Sequence, residues 1–216
     1  MRRAEPLPCL LAPGWNESFQ FVAGGRNYSY RLSMAALEDA NYTPWFVPLD
    51  WRRGPHAWTK QMILAAHRAG EQSGGPVVMA GFSLGATAAL AATAAMQQMP
   101  GAPRVEGVAL LSLPARYADN GARAAGLHGS GPILPEFAQV LSATTRPIVD
   151  CPIQAYVGTE EICCVQEQMH SLCEEQPDLN PIEVAGAGHD NLHPEYLRLF
   201  ISEIGALAQR NIVVQV

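Results

Sequence analysis

Short apolar segments alternate along this chain with longer segments of helical period. The short ones are LPCLLA (7–12), PWFVPL (44–49), PVVMAGF (76–82), VEGVALLSL (105–113), PIQAYVG (152–158) and PIEVAG (181–186). Continuous apolar runs of this length suit strands buried on both faces, as in a parallel sheet. The longer segments are 27–40, 56–72, 84–99, 163–176 and 194–210. In the last of these, Tyr196, Leu197, Phe200, Ile201, Ile204, Leu207 and Ala208 recur at helical spacing and make one apolar face. The alternation predicts an α/β fold: about six mainly parallel strands, right-handed crossovers, and helices on both sheet faces.

One stretch breaks the rhythm. Residues 114–150 separate the fourth and fifth predicted strands and are rich in Gly, Pro, Ala and Arg. A short helix is expected near 135–142. Segments that long without clear structure are usually functional, so a small lid is one reading and a plain surface excursion the other. With 216 residues, the chain is expected to be a single domain over 1–216. A chain of that length buries about 70% of its unfolded surface, enough for one core without disulfide staples.

Composition narrows the class. Hydrophobic residues make up 48% and charged residues 16%, which argues against disorder. The net charge is −6 and no basic patch stands out, so nucleic acid is not an expected partner. The five cysteines are Cys9, Cys151, Cys163, Cys164 and Cys173. An odd, scattered set does not read as a disulfide framework, and reduced thiols in a cytoplasmic setting are expected. The N-terminal MRRAEPLPCLLAPGW is a poor signal peptide, because Pro6, Pro8 and Pro13 break its apolar run. No apolar stretch reaches the length of a membrane span. The best candidate, 84–96, reads better as a buried alanine-rich helix.

The sharpest chemical feature is Gly81-Phe82-Ser83-Leu84-Gly85. It fits G-x-S-x-G, follows the strand PVVMA, and opens the helix LGATAALAATAAM, as a nucleophile elbow requires. A sharp turn from strand to helix needs small neighbours, which Gly81 and Gly85 supply. Ala86 and Ala89 let the helix pack closely on the sheet. Ser83 would then stand at the strand's C-terminal end, beside the helix N-terminus and its positive dipole end. The bland reading is a chance match in which Ser83 merely caps a helix.

Serine needs a base to act as a nucleophile. Six histidines are available: His56, His67, His128, His170, His189 and His193. In parallel α/β sheets, reacting groups gather at the C-terminal ends of strands. His189 sits there, in the loop Ala187-Gly188-His189-Asp190 after the last predicted strand. His56 and His67 fall in or near the second helix, and His170 falls mid-helix. His189 and His193 have the spacing of a metal pair, but no third ligand is evident, so no metal is expected. An orienting carboxylate should follow the preceding strand, and PIQAYVG runs into Thr159-Glu160-Glu161. Adjacent side chains on an extended segment point opposite ways, so one glutamate of the two should face His189. Asp150 and Asp119 are runners-up.

The order Ser83…Glu161…His189 resembles the α/β-hydrolase superfamily, over roughly residues 7–210. Gly158-Thr159-Glu160-Glu161 is similar to the family's G-x-x-D, with Glu161 at the acid position and Glu160 as second choice. Gly186-Ala187-Gly188-His189-Asp190 is similar to its histidine loop. Ala12-Pro13-Gly14-Trp15-Asn16 takes the place of its oxyanion loop, with Pro13 where a histidine is common. The resemblance implies that the backbone N–H groups of Trp15 and Leu84 bind an oxyanion. Gly14, Asn16 and Phe82 would then lie beside the substrate. It also implies that the chain begins at the family's third strand, as a minimal member.

The expected activity is hydrolysis of a small carboxylic ester or thioester through an acyl-enzyme on Ser83, with no cofactor. Trp15, Trp51, Trp58, Phe82 and Leu84 could line an apolar pocket or could be core. A peptidase, a lactonase or a dienelactone-hydrolase-like enzyme would use the same three side chains. The competing classes are a non-catalytic binding protein on the same scaffold and a redox or metal protein using Cys163-Cys164. The latter pair lacks C-x-x-C spacing.

Overall fold

The computed structural model describes residues 6–14, 28–50, 53, 55–113, 149–161, 165–166, 169–170 and 181–189. Within them lie six strands: β1 (Leu7–Ala12), β2 (Tyr42–Phe46), β3 (Val77–Phe82), β4 (Val105–Leu111), β5 (Ile153–Gly158) and β6 (Ile182–Val184). Three helices connect the first four: α1 (Tyr28–Asp39), α2 (Pro55–Ser73) and α3 (Leu84–Gln97). Val165, Gln166, Met169 and His170 are also helical, within the helix expected over 163–176. Of the segment 114–150, expected as a lid or a surface excursion, residues 114–148 lie outside the described residues, as does the helix expected over 194–210.

The strands form one sheet in the order β2-β1-β3-β4-β5-β6. Every pair is parallel, as the uninterrupted apolar runs predict. Alternation along each strand sends side chains to two separate cores. Leu10, Ala12, Val77, Met79, Val108, Leu110, Ala155 and Val157 join Trp58, Met62 and Ala66 of α2 and the alanines of α3. Cys9, Leu11, Val78, Ala80, Phe82, Ala109, Leu111 and Tyr156 join Tyr30 and Leu37 of α1. Helices therefore cover both faces.

α3 packs closest. Ala86, Ala89 and Ala92 are fully buried and bring its backbone near the sheet. Thr93, also fully buried, satisfies its hydroxyl by donating to Ala89 O at 2.9 Å. Trp58 is 2% exposed, and its indole N–H donates to Asp50 O at 2.7 Å. Of the two expectations for Trp58, core is the one realised.

β2 differs from its expected bounds. It starts two residues earlier than the apolar run at 44–49, because the ladder with β1 begins at Leu7↔Tyr42. It stops before Pro48, which has no N–H to extend the ladder. As an edge strand, β2 tolerates Pro44 within it.

Candidate active site

The strand order reverses between β1 and β3. From β1 the chain moves outward to β2, then returns to the far side of β1 as β3. In open α/β sheets, ligands bind beyond the C-terminal ends of the strands at such a reversal. The register Ala12↔Gly81 brings the exits of β1 and β3 level. Gly14 and Ser83 lie just beyond.

Ser83 occupies the turn from β3 to α3 with φ 52° and ψ −124°. A non-glycine residue there costs on the order of 1–3 kcal/mol and persists only where its surroundings enforce it. Two of those surroundings are glycines. A Cβ on Gly81 would sit 2.3 Å from Gly85 O, and one on Gly85 would sit 2.3 Å from Pro13 O and 2.4 Å from Ala12 O. A third is the bond from Ser83 N–H to Leu111 O on β4, at 2.8 Å. The Ser83 hydroxyl makes no capping bond to α3. That removes the reading of Ser83 as a simple helix cap.

The hydroxyl instead meets His189. Ser83 Oγ lies 3.0 Å from His189 Nε2, across 106 positions of sequence. On the ring's other side, His189 Nδ1 lies 2.7 Å from Glu161 Oε1. The Glu161 side chain is 0% exposed and that of His189 15%. A buried carboxylate held on Nδ1 stabilises the Nδ1–H tautomer and leaves Nε2 basic toward Ser83. Phe82, from the residue before Ser83, lays its ring 5.0 Å from the imidazole centroid at a 41° tilt.

Backbone contacts between the exits of β5 and β6 place the imidazole and carboxylate. Thr159 N–H donates to Val184 O at 3.0 Å and Glu160 N–H to Ala187 O at 2.9 Å. Gly186 N–H donates to the Thr159 hydroxyl at 2.9 Å. The two loops press so close that a Cβ on Gly158 would sit 2.0 Å from Ala187 O. Glu161 N–H then closes a turn onto Gly158 O at 3.2 Å, which sends its side chain inward. Glu160 is exposed. The glutamates are separated by this turn, not by the alternation of an extended strand.

The other sequence candidates scatter. His56 is exposed on α2 and His67 half-buried on it. His170 is exposed and lies 3.4 Å from Glu183 Oε1. Asp150 precedes β5, at the N-terminal ends of the strands, while Ser83 stands at their C-terminal ends. Leu84 opens α3, where no carbonyl of the helix itself can accept its N–H. Gly14 is buried, and its N–H donates to the Tyr30 hydroxyl at 2.9 Å. Phe82, expected beside the substrate, is 5% exposed, with the α1-side core around it and the imidazole against its ring. Trp15, Asn16, Trp51, Asp119, His128, His193, Cys163, Cys164 and Cys173 lie outside the described residues. Among the described residues, no group of three or more His, Cys, Asp or Glu converges as a metal site. No helix among them is long and apolar enough to cross a membrane. The sequence pattern missed Tyr30, which carries no signal beyond an aromatic residue in an amphipathic helix.

No protein-family profile matches the chain, and no curated protein matches it. Solved structures do. Est1E from Butyrivibrio proteoclasticus superposes with a TM-score of 0.69 at 14% identity, covering 98% of this chain and 90% of that one. MGS-MChE2, an α/β hydrolase enzyme from a metagenome of Mar Chica lagoon sediments in Morocco, gives 0.65 at 12% identity, covering 96% and 93%. An inhibited esterase B from Lactobacillus rhamnosis gives 0.62 at 16% identity, covering 98% and 80%. At such identities the likeness carries the fold.

Proposed function

We propose that this chain, which has the α/β-hydrolase fold, is a serine hydrolase acting on a small carboxylic ester or thioester. The observation that supports this reading is the continuous hydrogen-bonded chain from buried Glu161 through His189 to Ser83 Oγ. A structural serine has no use for an imidazole held in this way. An esterase among the structural neighbours adds a precedent for the chemistry on this fold.

In the proposed reaction, His189 Nε2 takes the hydroxyl proton as Ser83 Oγ attacks the substrate carbonyl. The tetrahedral oxyanion is held by the N–H groups of Leu84 and Trp15. His189 gives its proton to the leaving alcohol or thiol, and an acyl-Ser83 ester remains. Water then attacks that ester while His189 takes a proton from it, and the carboxylic acid leaves with Ser83 restored. Glu161 stays ionised throughout and stabilises the imidazolium that forms twice. Each oxyanion donor typically contributes about 100- to 1,000-fold in turnover. Gly14 and Asn16 border the acyl group in this reading. Phe82 acts from behind, as a wall for the imidazole.

A fluorophosphonate probe tests the reading directly. Wild-type protein should be labelled on Ser83, and Ser83→Ala should not. Absence of labelling in the wild type, together with no hydrolysis across a panel of esters and thioesters of increasing chain length, would leave a non-catalytic binding protein as the surviving reading.

A further inference from the structure

Two tight turns lie face to face beyond β5 and β6. The first runs from Gly158 to Glu161 and is closed by Glu161 N–H on Gly158 O at 3.2 Å. The second runs from Val184 to Ala187 and is closed by Ala187 N–H on Val184 O at 3.2 Å. Gly186, third in that turn, has φ +72°, a value that favours glycine at this position. Each turn launches one member of the hydrogen-bonded chain to Ser83. Glu161 ends the first, and His189 follows the second by two residues.

Three bonds join the turns. Two run from backbone to backbone, Thr159 N–H to Val184 O at 3.0 Å and Glu160 N–H to Ala187 O at 2.9 Å. The third is made by a side chain. A turn closed between its first and fourth residues leaves the N–H of its third residue pointing outward. In the second turn that group is Gly186 N–H, and it donates to the Thr159 hydroxyl at 2.9 Å across 27 positions of sequence. Thr159 therefore grips both ends of the Val184–Gly186 stretch, one with its N–H and one with its hydroxyl. The close approach continues toward the imidazole, since a Cβ on Gly188 would stand 3.3 Å from Glu160 O.

Resting on the serine-hydrolase reading, we infer that Thr159 is a positioning residue for His189. Its hydroxyl locks the second turn onto the first. The imidazole is then presented to Ser83 Oγ and Glu161 Oε1 in one arrangement. Thr159 is exposed, so the bond adds little to stability. Its effect is on geometry, where a misplacement of about 1 Å costs on the order of 100-fold in rate. The two backbone links remain without it, so the loss is a fraction of that.

Thr159→Val in the full chain keeps the branched shape and removes the acceptor. With p-nitrophenyl esters, kcat should fall about 5- to 20-fold while KM stays within about twofold. Labelling of Ser83 by a fluorophosphonate should slow by a similar factor, because that attack also needs His189 to take the proton. The melting temperature should fall by no more than about 4 °C. Thr159→Ser restores the hydroxyl and should restore kcat to within about threefold of wild type. Thr93→Val is the matched control. It removes a fully buried threonine hydroxyl bonded to Ala89 O and should leave kcat unchanged. Wild-type kcat and labelling rate in Thr159→Val would overturn the assignment. So would an equal loss in Thr159→Ser, which keeps the hydroxyl, or in Thr93→Val, which would expose a general loosening. Amide exchange in the wild type needs no variant. Gly186 N–H should exchange more slowly than in an open chain, and open-chain exchange would overturn the role. A wild type that hydrolyses no ester and takes no fluorophosphonate fails at the earlier step, the hydrolase reading itself.

Discussion

Glu161 and His189 meet at 2.7 Å between Oε1 and Nδ1, while Glu160, one residue earlier, stands in solvent. The two glutamates share charge and length, so their variants separate position from chemistry. Glu161→Gln keeps the shape but loses the charge that favours the imidazolium. It should lower kcat by about 100- to 10,000-fold. Glu160→Gln should stay within about threefold of wild type, since an exposed charge is screened by solvent. Steady-state ester hydrolysis checks both, and the reverse order would refute the assignment of Glu161.

Ser83 supports a prediction about stability as well as activity. Its φ of 52° belongs to a region that only glycine enters without strain. Ser83→Gly should therefore abolish hydrolysis and stabilise the fold by about 1 kcal/mol or more relative to Ser83→Ala. Both variants lose the Oγ contact with His189, so the difference isolates the backbone. Urea unfolding of the pair measures it. Equal stabilities would mean that the turn does not strain the serine.

Much of this was legible in the sequence, and for identifiable reasons. β1, β3, β4 and β5 are buried on both faces, so apolar runs marked them closely. Ser83 was legible because glycine spacing, strand and helix all sit within one short window. The choice between Glu160 and Glu161 was not legible from alternation. That rule holds for extended backbone, and here the turn closed by Glu161 N–H on Gly158 O decides. Only resemblance to a family pattern favoured Glu161, the glutamate that meets His189. The sequence reading put Phe82 beside the substrate. The twofold alternation of β3 instead sends Phe82 toward α1 and the imidazole. Tyr30 had no sequence signal, because its partner is a backbone N–H 16 positions away.

Gly158 and Gly186 test the seam that carries His189. A Cβ on Gly158 would collide with the backbone of Ala187, and that backbone cannot swing aside as a side chain would. Gly158→Ala should cost about 2 kcal/mol or more and lower kcat at least about tenfold, by displacing the imidazole from Ser83. A Cβ on Gly186 meets nothing, but its φ is +72°. Gly186→Ala should cost only about 1 kcal/mol, with kcat nearly unchanged. Paired thermal unfolding and kinetics read both effects. Full activity in Gly158→Ala would show that the close approach does not position His189.

Cys9 gives the fold an alkaline limit. Complete burial pushes its thiol from 9.0 up to about 12. The neighbouring Tyr42 hydroxyl is also raised, first by burial and then by the charge of Cys9. Below pH 9 the folded and unfolded chains both keep the thiol proton, and its contribution to stability is constant. Between pH 9 and about 12 the unfolded thiol ionises while the folded one does not. Stability should fall across that window by up to about 1.4 kcal/mol per pH unit for this one group. Cys151, pushed up to about 11 and less buried, adds a weaker decline of the same sign. Cys9→Ala should lower stability by a fixed amount at neutral pH through lost packing, yet flatten the fall above pH 9. Urea unfolding at half-unit steps from pH 7.5 to about 10.5 covers the onset of that window. If the slopes of wild type and Cys9→Ala coincide there, the buried thiol is not what limits the fold in alkali.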